Sequence, residues 1–298
     1  MNAIAADMKS VLKLYAGFFL AFASAIFVTM VVTKFFFADY HTSVISFFKS
    51  LYHSQFLVYV LVGFVAQMID GALGMAYGVS STTFLMSFGI SPAVASASVH
   101  VAEVFTTATS GISHWRFGNV NKELFKKLAI PGAVGAGIGA YVLTSFDGNA
   151  IKPYIAGYLI IMGIVIIAKA TKKMVQFTEP KRVSLLALFG GFADASGGGG
   201  WGPIVTSTLI GRGNNPKLTI GTVNAVEFFV ALTASGIFTL FIGINTWDVI
   251  LGLIVGGMIA APLGAYITHK INLKWAMIAV GVFIILLSAR TIIFSLLK

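Results

Sequence analysis

Two glycine-rich stretches, one in each half of the chain, decide the fold. They read GFVAQMIDGALGMAYGVSSTTF, from Gly63 to Phe84, and GGFADASGGGGWGPIVTSTL, from Gly190 to Leu209, and both interrupt apolar sequence. Each glycine inside a helix costs about 1 kcal/mol relative to alanine. Four glycines in a row therefore end a helix, and Pro203 lets another begin. Because non-helical backbone at membrane depth needs protein or a water-filled cavity around it, we predict helices broken inside a membrane rather than loops outside it.

The composition excludes a water-soluble protein. Of the 298 residues, 57% are hydrophobic and only 10% are charged, and the mean hydropathy is +0.92, whereas a soluble domain has about 25% charged residues. This excludes a soluble enzyme, a disordered protein and a nucleic-acid-binding protein. The net charge of +10 suits the cytoplasmic face of a membrane protein. The absence of cysteine excludes disulfides and thiolate metal sites.

Seven apolar segments are long enough to cross a bilayer, which takes about 20 residues. The first begins after Lys9 and Lys13 and runs to Phe37, past the small residues Ala23 to Ala25 that resemble a cleavage site. We therefore expect an uncleaved anchor helix rather than a signal peptide. The segments are 14–37, 92–115, 124–146, 151–169, 218–243, 247–268 and 275–296.

The second half of the chain repeats the first. The segment SVHVAE, residues 98–103, matches TVNAVE, residues 222–227, at an offset of 124. Around the two interruptions the glycines align best at an offset of 128. That alignment places Gly71 over Gly199 and Gly74 over Gly202.

The basic residues indicate that the two repeats have opposite orientations. The loop 116–127 is basic, whereas its counterpart 243–248 has no Lys or Arg; the next pair, 147–152 and 269–274, shows the reverse bias. Such a swap is typical of inverted repeats. If both broken segments enter and leave on one side, 15 of the 20 Lys and Arg share one face; if each crosses once, the best split is 13 to 7. The first arrangement is favoured.

The predicted architecture is therefore an all-α membrane protein with two inverted repeats. Each repeat is a re-entrant broken-helix hairpin plus three transmembrane helices, and one extra N-terminal transmembrane helix precedes them. The N-terminus is expected in the cytoplasm and the C-terminus outside. The predicted regions are the anchor helix and its connection 1–54, transport repeat 1 at 55–169, a basic cytoplasmic loop 170–183, and transport repeat 2 at 184–298.

Acidic residues inside the apolar segments are candidates for gating or coupling. A carboxylate at the centre of a membrane helix costs at least about 2.5–3.5 kcal/mol, so such residues usually face a cavity, a partner or a proton path. The alternatives are that they tie helices together or, beside the glycines, that they cap a half-helix. The candidates are Asp70, Glu103, Asp194 and Glu227, together with His100 and Asn224, each three residues before a glutamate.

The glycine breaks suit an anion. An interrupted helix offers unpaired backbone N–H groups at a positive dipole end, and small donors without a fixed arginine allow release. The carboxylates keep a cation possible, and close helix packing is the alternative reason for the glycines. No metal-ligand cluster is visible, and no cofactor is predicted. The candidate substrate-binding residues are Gln67, Gly71, Gly74, Ser80, Ser81, Gly198, Gly199, Gly200, Thr206 and Ser207.

Over residues 58–296 the chain resembles the sulfite exporter TauE/SafE family. The resemblance rests on the duplicated glycine-rich starts, on helices that begin at Pro92 and Pro216, and on the paired Ser/Thr-Val-His/Asn-x-x-Glu segments. It implies a bacterial inner-membrane transporter of small sulfur-containing anions such as sulfite, sulfonates or sulfoacetate. Met75 where repeat 2 has Pro203 is a departure that makes the two half-sites unequal.

The leading hypothesis is a secondary transporter that exports such an anion by alternating access. The alternatives are an anion channel, a proton-coupled importer of the same anions, and a non-transporting membrane subunit. An intramembrane enzyme is disfavoured, because the chain has neither Gly-x-Ser-x-Gly nor His-Glu-x-x-His. The expected partners are the small anion and the lipid bilayer, without nucleic acid. The oligomeric state stays open.

Overall fold

The computed structural model is helical throughout the residues that it describes, which are 55–171, 182–267 and 272–297 with scattered positions among 16–49. The chain forms two compact units, Met1–Val58 and Tyr59–Lys298. Of the first unit the structure describes residues 55–58 and scattered positions among 16–49, so most of the predicted anchor helix 14–37 lies outside the described residues, as does most of the predicted basic loop.

The second unit follows the predicted order of helices. Repeat 1 contains α1 Phe56–Leu73, α2 Tyr77–Ser87, α3 Pro92–Arg116, α4 Lys122–Thr144 and α5 Gly148–Ala170. Repeat 2 contains α6 Val183–Gly197, a π-helical turn Gly202–Thr206 that continues into α7 Ser207–Gly211, then α8 Pro216–Ile242, α9 Trp247–Ile267 and α10 Leu273–Leu296.

Six helices in the described part are long and apolar enough to cross a membrane: α1, α4, α5, α8, α9 and α10. Five of them correspond to predicted spans. The predicted span 92–115 forms α3, which has 25 residues and is more polar than the six because many of its residues are serine, threonine or histidine. The all-α membrane fold is therefore confirmed.

Both helix breaks occur where the glycines predict them. The first lies between Leu73 and Tyr77, and the second begins after Gly197. Gly74 and Gly198 adopt left-handed backbone, with φ of +65° and +74°. This conformation is sterically unfavourable for a residue with a Cβ atom but readily accessible to glycine. Ala76 is also left-handed, with φ +98°, so the break of repeat 1 carries strain.

The alignment of the two breaks predicted from the sequence was wrong by one helical turn. Asp70 accepts a hydrogen bond from the backbone N–H of Tyr77, and Asp194 accepts one from that of Trp201. These equivalent bonds show that the offset of 124 holds at the breaks. Gly74 therefore corresponds to Gly198. The glycine spacing gave the wrong offset because a shift of four residues, about one helical turn, brings residues of the same helix face into alignment.

Each repeat packs its first half-helix against a full helix of the other repeat. In one pair α1 runs parallel to α9, with Gly63 against Leu253 and Gly71 against Gly264. In the equivalent pair α6 runs parallel to α4, where Gly135 lies against the backbone of Leu188. Glycine is needed at these crossings because only its bare backbone lets the helix axes approach so closely.

The equivalent helices α3 and α8 run antiparallel. Near the start of α3 the hydroxyl oxygen of Ser98 lies 2.6 Å from that of Thr246. Further along α3, Ser110 donates to Asn224 over 2.9 Å. Beyond its end, the backbone N–H of Asn121 donates to the hydroxyl of Thr222 over 2.8 Å. Because Thr222 corresponds to Ser98, the first and last contacts are equivalent ends of one pseudo-symmetric interface.

We predict that Gly135→Ala destabilises the protein. A Cβ at Gly135 would lie 2.0 Å from the carbonyl oxygen of Leu188, so α4 and α6 must separate, and overpacking of this kind costs about 1–3 kcal/mol. Circular dichroism of the detergent-solubilised protein during heating measures the effect. Gly157→Ala is the matched control, because its Cβ would meet nothing within 4 Å. Equal melting temperatures for the two variants would contradict this packing.

Candidate functional site

The two helix breaks cross each other inside the protein. A Cβ added to Gly199 would lie 2.2 Å from the backbone nitrogen of Val79, and one added to Gly202 would lie 2.4 Å from the Cα of Met75. The hydroxyl of Thr206 donates to the carbonyl oxygen of Gly74 over 2.7 Å. The two glycine-rich stretches of the sequence therefore meet in the folded protein.

Asp194 caps the break of its own repeat. Its Oδ1 accepts hydrogen bonds from the backbone N–H groups of Gly200 and Trp201, over 2.7 and 2.9 Å. Its backbone oxygen accepts one from Gly199 over 2.8 Å. The prediction that these N–H groups are unpaired was wrong: the fold supplies its own carboxylate to the positive end of the half-helix. Asp70 makes the equivalent bond to Tyr77 over 3.5 Å.

His100 connects that cap to the opposite repeat. Its Nε2 lies 3.2 Å from Oδ2 of Asp194 and 3.9 Å from Oε2 of Glu103. Its Nδ1 lies 2.8 Å from the carbonyl oxygen of Ser96. The hydroxyl of Ser96 donates to the carbonyl oxygen of Ala195 over 3.0 Å. Two hydrogen-bonded layers therefore join α3 to α6, and all these side chains are buried.

Several buried polar atoms around the crossing make no hydrogen bond to any described residue. A buried polar atom without a partner costs about 1–3 kcal/mol, so such a group indicates a place for a ligand, an ion or water. The atoms are both amide atoms of Gln67, Oδ2 of Asp70, both carboxylate oxygens of Glu103, Oε2 of Glu227, and the hydroxyls of Ser80, Ser81, Thr82 and Thr83.

The other predicted site residues have partners within the fold. Gly71 lies against Gly264, and a Cβ on Gly198 would meet the side chain of Thr82. The hydroxyl of Ser207 donates to the carbonyl oxygen of Pro203.

Asn224 accepts from Ser110 and donates to the carbonyl oxygen of Ile220. It occupies the place in α8 that His100 has in α3, and its bonds lie within the α3–α8 interface. The structure thus brings Glu103, Asp194 and His100 into direct contact, while Asn224 ties the two helices together.

The sequence analysis missed two residues of the site. Tyr158 donates its hydroxyl to the carbonyl oxygen of Gly199 over 2.9 Å, and its ring packs where a Cβ on Gly197 would stand. Ser96 holds the ring of His100 from one turn before it. The spacing of four residues between Ser96 and His100 was a usable helical signal, whereas an isolated tyrosine in an apolar helix gives none.

Comparison with known proteins decides the family. The family model described as sulfite exporter TauE/SafE matches residues 59–291. The chain belongs to this family. It is 44% identical over 249 residues to the probable membrane transporter protein YtnM of Bacillus subtilis (strain 168), a match that covers 80% of this chain and 83% of that protein. It is 22% identical over 267 residues to the probable membrane transporter protein YunE of the same organism, covering 80% and 97%. No solved structure matches it.

Membership of the TauE/SafE family, with the apolar helices, makes this chain a multi-pass membrane transporter. The predicted family and transporter class are confirmed.

We predict that Asp194→Ala destabilises this TauE/SafE protein more than Asp70→Ala. The first change leaves two buried N–H groups without an acceptor, and each such loss costs about 1–3 kcal/mol. The second loses one bond of 3.5 Å and removes a carboxylate oxygen that accepts nothing from the described residues. Melting temperatures in detergent measure both. The melting temperature of Asp194→Asn should lie between those of wild type and Asp194→Ala, because the amide oxygen of asparagine can still accept a hydrogen bond. Equal losses of melting temperature in both alanine variants would contradict the capping role of Asp194.

Proposed function

We propose that the protein is a secondary transporter that moves a small sulfur-containing oxyanion, of the sulfite, sulfonate or sulfoacetate type, out across the bacterial inner membrane by alternating access. The observation that carries the proposal is the group of buried, unsatisfied polar atoms where the two helix breaks cross. The family description, sulfite exporter TauE/SafE, supports the substrate class and the direction.

The directions of the helices support inverted repeats with re-entrant hairpins. The chain turns back between α8 and α9, at 243–246, so these two helices run in opposite directions. Because α8 also runs antiparallel to α3, α9 has the same direction as α3. The half-helix α1 is parallel to α9 and therefore also to α3. The short connection 88–91 joins α2 to α3, so α2 must return to the side from which α1 entered. The same steps apply to α6, α7 and α8.

The basic residues support the orientation. On this path the connections after α3, α5, α7 and α9 share one face. They and the adjoining helix ends carry Arg116, Lys122, Lys169, Arg212 and Lys274, among others. By the positive-inside rule this face is cytoplasmic, which puts the C-terminus outside. The repeats would then be 55–169 and 184–298.

Neutral donors would hold the anion. Ser80 and Ser81 on α2, with the amide of Gln67 on α1, are buried and without hydrogen-bond partners among the described residues. The buried polar side chains of the described chain include no Lys or Arg, so nothing would bind the anion too tightly for release. Glu103 and Glu227 would gate the chamber, since their charges must be neutralised before an anion enters.

The α3–α8 interface supplies two equivalent gates. The pair Ser98 and Thr246 would close the outer end, and the pair Asn121 and Thr222 would close the cytoplasmic end. Both pairs are in contact in this structure, and buried polar atoms lie along the same interface. On this proposal it would be the occluded conformation. Rocking of one repeat against the other would open one pair at a time.

The membrane potential favours export. An inside-negative potential drives an anion outward with about 2.3 kcal/mol per charge per 100 mV, so a dianion needs no coupling ion. The second candidate is import of the same anion together with a cation or proton. It is favoured by the four carboxylates of Asp70, Glu103, Asp194 and Glu227, all of which are buried.

We predict that Gln55→Cys and Phe88→Cys react with a membrane-impermeant maleimide from the same, outer side of the membrane. They stand before α1 and after α2 and are both exposed. The chain has no cysteine of its own, so each variant carries one label site. Lys122→Cys is the control and should react only from the cytoplasmic side. Labelling of Gln55→Cys and Phe88→Cys from opposite sides would contradict the re-entrant hairpin.

We predict that liposomes containing the purified protein take up sulfite or an organic sulfonate faster than protein-free liposomes, and faster than they take up sulfate. The panel should compare sulfite, sulfate, thiosulfate, sulfoacetate and taurine at two pH values. An outward-directed flux that rises with potential alone supports a uniporter. A flux that requires a cation or pH gradient favours the importer, and the absence of flux for every anion contradicts the proposed function.

We predict that Glu103→Gln and Glu227→Gln each lower the flux at least about tenfold, which corresponds to about 1.4 kcal/mol in the barrier. Each change keeps the shape of the side chain and removes its negative charge, which must otherwise be neutralised before an anion can enter. Glu123→Gln, which makes the same change at a glutamate whose side chain is 79% exposed, is the control and should transport like wild type. Wild-type flux in both glutamine variants would remove the gating role.

A further inference from the structure

We propose that His100, Glu103 and Asp194 bind a divalent first-row transition-metal ion of the Zn²⁺ class, which links the two repeats at the crossing of the helix breaks. The three side chains are buried and can each offer one ligand atom, with the three atoms all within 4.8 Å of one another. The proposal does not depend on the identity of the transported anion.

The distances suit a small metal ion. Nε2 of His100 lies 3.2 Å from Oδ2 of Asp194 and 3.9 Å from Oε2 of Glu103. Zinc binds nitrogen and oxygen at about 2.0–2.2 Å, which puts tetrahedral ligands about 3.4 Å apart. The observed separations bracket that value. Three protein ligands leave a fourth position for water or for an oxygen of an anion.

The groups behind the ligands have the arrangement that metal sites use. A metal-binding histidine usually gives its other ring N–H to a carbonyl oxygen, which fixes the ring and leaves the second nitrogen bare. Nδ1 of His100 lies 2.8 Å from the carbonyl oxygen of Ser96. The carboxylate of Asp194 is also fixed in orientation, because two backbone N–H groups donate to its Oδ1. Its Oδ2 therefore faces His100.

Glu103 supplies the independent observation. Both of its carboxylate oxygens accept no hydrogen bond from the described residues, although the side chain is only 1% exposed. One of them lies 3.0 Å from where a Cβ on Gly78 would stand, so it is directed into the crossing. An ionised carboxylate in this place needs a positive partner. The buried polar side chains of the described chain include no Lys or Arg, so that partner is either a protonated His100 or a bound cation.

Repeat 2 provides an internal control. At the offset of 124, the counterparts of His100, Glu103 and Asp194 are Asn224, Glu227 and Asp70. An amide is a much poorer ligand for these metals than imidazole, and Asn224 is already bonded to Ser110 and Ile220. The structure therefore assigns one metal ion to the protein, on the side of His100.

Isothermal titration of Zn²⁺ into the tag-free, chelator-treated protein in detergent tests the proposal, with Co²⁺ absorption as a second readout of the ligand geometry. We expect one ion per chain in wild type. Glu103→Gln and His100→Asn should each weaken binding by more than about tenfold, since even changes behind the ligands cost about 10–100-fold. Glu227→Gln should bind like wild type.

Several outcomes would overturn the site. They are the absence of Zn²⁺ binding by wild type, unchanged affinity in Glu103→Gln, and equal weakening by Glu103→Gln and Glu227→Gln. Size-exclusion profiles identify any variant that does not fold. If His100→Asn fails to fold, the isosteric pair Glu103→Gln and Glu227→Gln decides alone. Because binding is measured without transport, its failure leaves the proposed function untouched.

Discussion

The carboxylate of Asp194 holds the two halves of the protein together at the point where their broken helices cross. One oxygen closes the helix break of repeat 2 by accepting from Gly200 and Trp201. The other faces His100 of repeat 1. A charge in this apolar setting is costly unless it is paired, so the break, the histidine and the approach of α3 to α6 depend on one another. Any movement of one repeat against the other must rearrange this contact.

Glycine makes the crossing possible, and it is distributed unequally. Repeat 2 has Gly199 where repeat 1 has Met75, and Gly200 where repeat 1 has the left-handed Ala76. The break of repeat 1 is correspondingly strained, and its cap to Asp70 is longer, at 3.5 Å. With His100 opposite Asn224 as well, the pseudo-symmetric scaffold carries an asymmetric site.

The sequence was sufficient for the class of fold and for the elements. Apolar length located the spans, the glycines located the breaks, and the recurring Glu103 and Glu227 revealed the duplication. It was insufficient for register at the breaks, because a shift by one helical turn leaves the same residue types aligned. It also could not show that Asp194, 94 residues away in sequence, lies beside His100. That contact arises from the packing of α3 on α6, which no local pattern encodes.

If transport opens the two ends of the α3–α8 interface in turn, a reversible cross-link at one end must stop it. The hydroxyls of Ser98 and Thr246 are 2.6 Å apart, close enough for cysteines there to form a disulfide of about 2.05 Å, in a chain without other cysteines. Anion flux into liposomes should stop when Ser98→Cys/Thr246→Cys is oxidised and return on reduction, while the single variants stay active. Undiminished flux through the fully cross-linked protein would show that this end of the interface does not open during transport.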